Sequence, residues 1–572
     1  MIKKIYDIHY RRENVFATDL SGLGIIDINC APLYDKINGR TKQAKDMFDV
    51  LIKNGCVVNG SGSPAGVQDI GIHGDTISAM GMIETDSARE IVEAHGQIVC
   101  PGFIDIHAHS DFNLFVQPPG RGKIYQGITT EVIGNCGVSG APLLGPALEQ
   151  RRHSLSNLGI DIIWSRMQEY VELLGHLQLY GNVAPLVGHG NVRSSVLGYK
   201  NQRPTAEEMQ QMKMLVKEAM DAGAWGLSSG LFYPPGVYAA EEEIISLAQV
   251  VSAYGGIYAS HIRNEEDMVV EAIEEALRIA TQAGIPLQIS HLKTMGEKNW
   301  HKLTHIFVIL EEALAAGVDV SADRYPYTAA STDLDALLPA WACEGGMEAE
   351  IDRLQQKAER QKIFSHILNG RSDEEVFSNV LISRVFSGAN KPLEGKTVAA
   401  AAALLNKSIS DVFFDLLVEE RLRVGAIFFS MSEKNLQKIY QKDYVMVGSD
   451  SAVWDVEGPL GDGKPHPRGF GTFPRVLKKF VFEQRLLSLE QAVRKMTGQP
   501  ATKLGFKNRG LIKEGYKADI IIFNQDKLSD RATYENPHQF PLGITSVMVN
   551  GRWAIRESTP TGIFPGKVIL KR

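Results

Sequence analysis

From residue 48 onward, apolar positions follow two different rhythms. At 50–52, 56–58, 69–72 and 76–77 they come in short runs cut by Asn54-Gly55 and Gly74-Asp75, which reads as hairpin strands. The same texture returns only at 518–523 and 547–551, near the other end. Two β-rich ends around a long middle predict one small β-sandwich built from both ends of the chain. Between them, short apolar runs at 103–107, 130–135, 182–187, 225–228, 257–260, 287–290, 318–322 and 445–448 alternate with stretches of helical period. Thr205 followed by Glu208 is a capping box, opening a helix whose Met209, Met212, Leu215, Val216, Ala219 and Met220 share one face. Residues 265–283 gather Met268, Val269, Ala272, Ile273, Ala276 and Ile279 in the same way, and Gly284 ends them.

Eight strand-like runs joined by helices predict an α/β chain folded as a parallel (β/α)8 barrel. Residues 331–429 are too long for one connection. They read as an insertion with helices of its own and a strand at 380–382. The alternative fold is an open doubly wound sheet, disfavoured because no glycine-rich phosphate loop follows the first strand. The organisation expected is a first sandwich part at 47–100, a barrel at 101–500 carrying the insertion, and the rest of the sandwich with a tail at 501–572. Residues 1–46 are polar, lack periodicity and lack the apolar core of a secretory leader. Three readings stay open for them: a disordered arm, an addition particular to this chain, or a start ahead of the true one at Met47.

Composition narrows the partners. The 572 residues carry a net charge of −7, with no dense Lys/Arg run. That argues against nucleic acid and membrane surfaces and for a small-molecule partner. No apolar stretch is long enough to span a bilayer. Five scattered cysteines (Cys30, Cys56, Cys100, Cys136 and Cys343) make no disulfide framework, which fits a reducing cytoplasm.

The chemistry starts at Asp105-Ile106-His107-Ala108-His109, where the first barrel strand ends. Residues two apart in a strand share a face, so two imidazoles can stand side by side. Zinc accepts such nitrogens at about 2.0–2.1 Å. Active sites of parallel barrels collect at the C-terminal strand ends. Those ends carry His107, His109, Cys136, His189, Ser228, His261, His291, Asp323 and Asp450. Each alone reads as a polar residue at a strand–loop junction, but together they predict a metal site. His189 is left between a wall of the site and a structural hydrogen bond.

From about residue 48 to the C-terminus the chain resembles the amidohydrolase superfamily, and within it the N-acyl-D-amino-acid deacylases. The resemblance rests on Pro101-Gly102-Phe103-Ile104-Asp105-Ile106-His107-Ala108-His109-Ser110-Asp111, Gly127-Ile128-Thr129-Thr130, Gly134-Asn135-Cys136-Gly137 and Ser228-Ser229-Gly230-Leu231. It continues in Ser260-His261-Ile262-Arg263-Asn264-Glu265, Ser290-His291-Leu292-Lys293, Tyr325-Pro326-Tyr327, Gly448-Ser449-Asp450 and the stretch from Gly510 to Asp519. It implies that Cys136, His261 and His291 hold a tight zinc, that His107 and His109 line a second, weaker metal position, and that Asp450 is the general acid/base. The fourth strand ends Leu227-Ser228-Ser229, without the lysine that bridges two metals in many superfamily members, which favours one essential zinc. An N-acyl amino acid carries a carboxylate beside its scissile amide. Arg468 and Lys293 are the cations expected on it. The resemblance adds Tyr325 and Ser331 as hydrogen-bonding groups, and Tyr233 would line the pocket.

The implied activity is zinc-dependent hydrolysis of N-acyl-D-amino acids to a carboxylic acid and a free D-amino acid. Residues 332–338 offer apolar groups and acids but no Lys or Arg, so a neutral, hydrophobic side chain is expected. The D preference comes from the resemblance alone. Two alternatives remain: hydrolysis of another amide, such as a cyclic amide or dipeptide, and a non-catalytic scaffold of the same fold.

Overall fold

The computed structural model describes residues 47–83 and 88–572. The three readings of residues 1–46 lie outside the described residues.

Eight parallel strands form the barrel wall. They are Phe103–Asp105, Ile128–Ile133, the pair Asn182–Pro185 and Val187–Gly188, Gly226–Gly230, Ile257–His261, Leu287–Ile289, Val320–Arg324 and Val445–Val447. Every pairing along the wall is parallel. First and last strands meet just beyond their ends, through the parallel bridge Ala108↔Ser451. The Asp450 N–H donates to the His107 carbonyl at 2.8 Å and the His109 N–H to the Ser451 carbonyl at 3.1 Å. Helices follow the strands, and the Thr205 capping box opens Ala206–Asp221 as its sequence predicts.

Strand ends deviate from the apolar runs for local reasons. The second strand stops at Ile133 rather than 135, because Gly134 and Cys136 turn into left-handed backbone. The helix expected from 265 begins at Val269. Asn264 Oδ1 instead accepts the N–H groups of Glu266 and Met268, both at 2.9 Å, and Glu265 turns inward.

Both ends of the chain share one nine-stranded sheet. The seam is Ile98–Pro101 antiparallel to Ile520–Phe523, with Cys100 opposite Ile521. Alternation along the second strand is divided between two cores. Ile520 and Ile522 pack with Ile52, Ile70 and Met548. Ile521 and Phe523 face the barrel side with Phe103, Phe473 and Phe480. A strand buried on both faces reads as a continuous apolar run, which is why Ile-Ile-Ile-Phe lacks polar positions. One expectation is corrected. Asn54-Gly55 is not a hairpin turn; it is a bulge inside the single strand Phe48–Val57. The Asn54 N–H is held by Asp69 Oδ1 at 2.9 Å, which lets the strand bend without reversing.

The insertion is anchored by a three-stranded antiparallel sheet of Ala329–Asp333, Gly425–Phe429 and Val380–Arg384. Ser331 pairs with Ile427 and Asp333 with Gly425. Helices Met347–Gln355, Lys357–Leu368 and Ile409–Glu419 cover it, around a core that includes Phe377, Phe413 and Phe414. Its first strand therefore starts directly above the barrel mouth.

Candidate metal centre

Three of the residues that carry the chemistry sit in left-handed backbone: Cys136 (φ 51°), His291 (φ 38°) and Asp450 (φ 52°). Each follows a barrel strand, and each costs about 1–3 kcal/mol in this conformation. The strain turns their side chains inward, over the barrel axis. Close packing fixes the Cys136 turn. A Cβ on Gly137 would lie 2.7 Å from the Gly230 nitrogen of the fourth strand.

The donors converge. Cys136 Sγ lies 3.6 Å from His291 Nε2 and 3.2 Å from His107 Nε2. His291 Nε2 faces His261 Nδ1 at 2.8 Å. His109 Nε2 and His107 Nε2 lie 3.0 and 3.3 Å from the same oxygen of Asp450, Oδ1. Ligand atoms of His107, Cys136, His291 and Asp450 all fall within 4.8 Å of one another. This set fits zinc. Tetrahedral zinc separates a sulfur and a nitrogen ligand by about 3.6 Å, the Cys136–His291 spacing. Two imidazole nitrogens facing each other with at most one proton between them also mark a place for a cation.

Two carboxylates without a role in the sequence reading orient these imidazoles. Asp323 Oδ1 accepts from His107 Nδ1 at 3.0 Å and from the His291 backbone N–H at 2.8 Å. Glu265 Oε1 lies 3.0 Å from His291 Nδ1. A carboxylate behind a ligand imidazole fixes its tautomer and raises its basicity. Asp323 was visible as a strand end. Glu265 stood within the Ser-His-Ile-Arg-Asn-Glu motif, but nothing in the spacing distinguished it from a helix-start residue. Beneath the cluster, the buried Lys123 Nζ donates to Asp105 Oδ2 at 2.6 Å, Ser449 Oγ at 2.7 Å and the Ser451 carbonyl at 2.8 Å. It thereby clamps both neighbours of Asp450.

The electrostatics prepare the donors. Burial pushes the Cys136 thiol up, but the His107 charge and hydrogen bonds from His107, His109 and His261 prevail and hold it well below the usual thiol range. Burial keeps His261 below the ordinary imidazole value, neutral and ready to ligate. Asp450 is also buried, yet the charges of Arg468, His107 and His291 hold its carboxyl well below normal, so it is ionised at neutral pH.

The residues expected to bind substrate are gathered around this cluster. Arg468 Nη1 donates to Asp450 Oδ2 at 2.7 Å and Nη2 to the Ser331 carbonyl at 3.0 Å. Lys293 Nζ pairs with Glu265 and lies 2.8 Å from His291 Nδ1. Among the described residues the buried Tyr325 hydroxyl has no hydrogen-bond partner. Its ring lies 4.8 Å from the Arg468 guanidinium carbon. The Tyr233 ring lies 4.8 Å from that of His261. His189 is fully buried with Nε2 2.7 Å from Glu243 Oε1, the structural hydrogen bond rather than the open wall.

Fold and donor set define a metal-binding barrel of the (β/α)8 type. Residues 90–555 match the amidohydrolase family. The chain is 36% identical to the D-aminoacylase of Alcaligenes xylosoxydans xylosoxydans, over 92% of this chain and 98% of that one. It is equally identical, at 36%, to the N-acyl-D-glutamate deacylase of the same organism, over 92% and 97%. The crystal structure of N-acyl-D-glutamate deacylase from Bordetella bronchiseptica, complexed with zinc and a phosphonate inhibitor, superposes with a TM-score of 0.78 at 34% identity, covering 92% of this chain and 100% of that one. The chain belongs to the amidohydrolase family. No described helix is long and apolar enough to cross a membrane.

Proposed function

We propose that this protein is a zinc-dependent hydrolase that cleaves the amide of N-acyl-D-amino acids. The observation that carries the reading is His291 Nε2 standing 3.6 Å from Cys136 Sγ and 2.8 Å from His261 Nδ1, beside an ionised, arginine-held Asp450. Cys136, His261 and His291 would hold the tight zinc, with His107 and His109 at a second, weaker position. When bound, zinc polarises an amide carbonyl and brings the pKa of coordinated water towards ~7.

The chain's own groups do the rest. Asp450 accepts a proton from the attacking water and delivers it to the leaving nitrogen, because an amide C–N bond breaks readily only when the amine leaves protonated. Water oxygen ends in the carboxylic acid and the transferred proton on the free amino group. Arg468 keeps Asp450 ionised and aimed. Lys293, Arg468 and Tyr325 form the donor side of the cleft, suited to the substrate's own carboxylate. Ser331 presents its strand across the mouth, and Tyr233 closes the face over His261. The absence of Lys and Arg from 332–338 supports a neutral side chain.

The test uses purified protein, with and without chelator, on paired D- and L-N-acetyl amino acids. Hydrolysis of D-leucine and D-methionine derivatives should vanish with chelator and return with zinc. Preference for L-substrates, chelator-resistant activity, or a higher kcat/KM on N-acetyl-D-glutamate than on N-acetyl-D-leucine would each sink the corresponding part.

A further inference from the structure

The loop after the eighth barrel strand is tied down at every second residue. Lys123 stands just before the turn Ile124–Gln126, which leads into the second strand. Its Nζ donates to Ser449 Oγ at 2.7 Å, to the Ser451 carbonyl at 2.8 Å and to Asp105 Oδ2 at 2.6 Å. Ser449 Oγ donates in turn to Asp105 Oδ2 at 2.6 Å, and the Ser449 N–H to Asp105 Oδ1 at 2.8 Å. Further along, the Val453 N–H donates to Ser110 Oγ at 2.8 Å, and that hydroxyl donates to Glu131 Oε2 at 2.5 Å. Glu131 Oε2 lies 3.4 Å from Lys123 Nζ. Residues 449, 451 and 453 are thus anchored to one buried group of Lys123, Asp105 and Glu131.

Asp450 stands between the first two anchors, and its side chain goes to different partners. Its Oδ1 lies 3.0 Å from His109 Nε2, and its Oδ2 accepts from Arg468 Nη1 at 2.7 Å. Its backbone is left-handed, with φ 52°. A residue with a Cβ keeps that conformation only where its surroundings impose it. Here the Asp450 N–H is held by the His107 carbonyl at 2.8 Å, and the residues on either side are held by Lys123. The Ser451 carbonyl also accepts the His109 N–H at 3.1 Å, so one acceptor links the lysine to a donor of the cluster. Among the described residues, the hydrogen-bond and ion-pair partners of the Lys123 ammonium are Asp105, Glu131, Ser449 and Ser451. None of them is Cys136, His261 or His291.

A buried ion pair is a poor way to gain stability alone, because apolar residues of similar volume often hold a seam as well or better. What an ammonium adds is direction. Its three N–H groups meet three acceptors here, and two of those acceptors flank Asp450. We propose that Lys123 is a positioning residue for proton transfer: through Ser449 and Ser451 it holds Asp450 in the left-handed turn that aims its carboxylate at the reacting groups. This rests on the reading of Asp450 as proton carrier in N-acyl-D-amino-acid hydrolysis. A displacement of the carboxylate by about 1 Å would cost on the order of 10²-fold in rate. The competing role is a clasp that only closes the barrel where Ala108 meets Ser451. A clasp would change stability and leave the turnover of folded molecules as it is.

The experiment compares wild type, Lys123→Met and Ser449→Ala, each loaded with zinc, on the N-acetyl-D-amino acid that wild type cleaves best. Turnover is expressed per bound zinc in folded protein. Zinc dissociation constants come from chelator competition, and the visible bands of cobalt-loaded protein report the ligand set. Lys123→Met should lower kcat about tenfold or more, and Ser449→Ala, which leaves the Lys123–Asp105 pair in place, about threefold or more. KM, zinc affinity and the cobalt bands should stay as in wild type. A wild-type kcat per zinc in Lys123→Met, with only its melting temperature lowered, overturns the proposal in favour of the clasp. A fall in kcat that comes with weaker zinc binding or shifted cobalt bands also overturns it, since the lysine would then act through the metal. If Lys123→Met fails to fold, Ser449→Ala decides, and an unchanged kcat there overturns the proposal. A wild type inactive on every D-compound defeats the proposed function itself, and this inference with it.

Discussion

Two buried histidines hold a glutamate at hydrogen-bonding distance, and only one belongs to the donor cluster; Glu265 Oε2 also lies 3.9 Å from His261 Nε2. Glu265 Oε1 lies 3.0 Å from His291 Nδ1, and Glu243 Oε1 lies 2.7 Å from His189 Nε2. Each glutamate also pairs with a buried cation, Lys293 or Arg193. Glu265→Gln and Glu243→Gln therefore impose nearly the same insult on the fold. Each leaves a buried cation short of a counter-charge, a loss bounded by about 3–5 kcal/mol. Their effects on metal should differ. Glutamine still accepts from His291 Nδ1 but no longer raises its basicity, and such losses weaken metal binding about 10–100-fold, or ~1.4–2.7 kcal/mol. His189 touches no donor, so Glu243→Gln should bind zinc as wild type does. Zinc dissociation constants from competition with a chromogenic chelator read this directly. Melting with and without zinc gives a second reading, because ligand-linked stabilisation follows affinity. Equal zinc affinity in Glu265→Gln and wild type, in folded protein, would remove His291 from the metal. Equal weakening in both variants would mean that general loosening, not ligand support, governs binding.

Asp450→Asn should keep its zinc yet lose about 10²–10⁴-fold in kcat; near-normal turnover at full metal content would take Asp450 out of proton transfer. Glu350, buried in the insertion, supplies a pH test. Burial lifts its carboxyl from 4.5 to about 7, against a Cys343 hydrogen bond and the Arg353 charge. The folded chain thus holds this proton more tightly, a contribution complete below the unfolded value of 4.5 and lost as pH rises through 7. Glu350→Gln should therefore raise the melting temperature at pH 8 and change it little near pH 5; the reverse order refutes the assignment. Ile521→Ala, at the seam between the chain's two ends, should cost about 2–5 kcal/mol in denaturant unfolding, and a loss below 1 kcal/mol would mean the seam repacks.

The barrel was legible because each of its strands is a short apolar run with a polar residue at the mouth and an amphipathic helix behind it. Its donors were legible for the same reason: His107, Cys136, His261, His291 and Asp450 all stand at strand ends, where parallel-barrel chemistry collects. What escaped were residues whose role is to touch another side chain. Glu265 lies in a loop that sequence rhythm merges with the following helix. Only its contacts with His291 and Lys293 separate it from the exposed Glu266 beside it. Lys123 belongs to no motif in the sequence, and only the fold shows it buried against Asp105. The Asn54-Gly55 misreading is of the same kind. A turn-forming dipeptide becomes a bulge once Asp69 on the neighbouring strand takes its N–H.

The pairing of the two candidate substrate cations also bears on which substrates can enter. Lys293 is matched to Glu265, and Arg468 to Asp450. An incoming carboxylate therefore meets no bare positive charge; it has to be held by donors these pairs leave over. Among the described residues the buried Tyr325 hydroxyl is such a donor. Burial resists its ionisation, but the charges of Lys293, Arg324 and Arg468 bring its pKa below the ordinary phenol value, which makes it a stronger hydrogen-bond donor. Both pairs work on the reaction before substrate arrives, Glu265 through His291 and Arg468 through Asp450. A substrate that drew either cation fully to itself would undo that preparation. An α-carboxylate shared among Tyr325, Lys293 and Arg468 would not, since each cation then keeps its first partner. This arrangement favours a singly charged substrate. A second carboxylate near these pairs would compete for the cations that keep Asp450 ionised and His291 aligned.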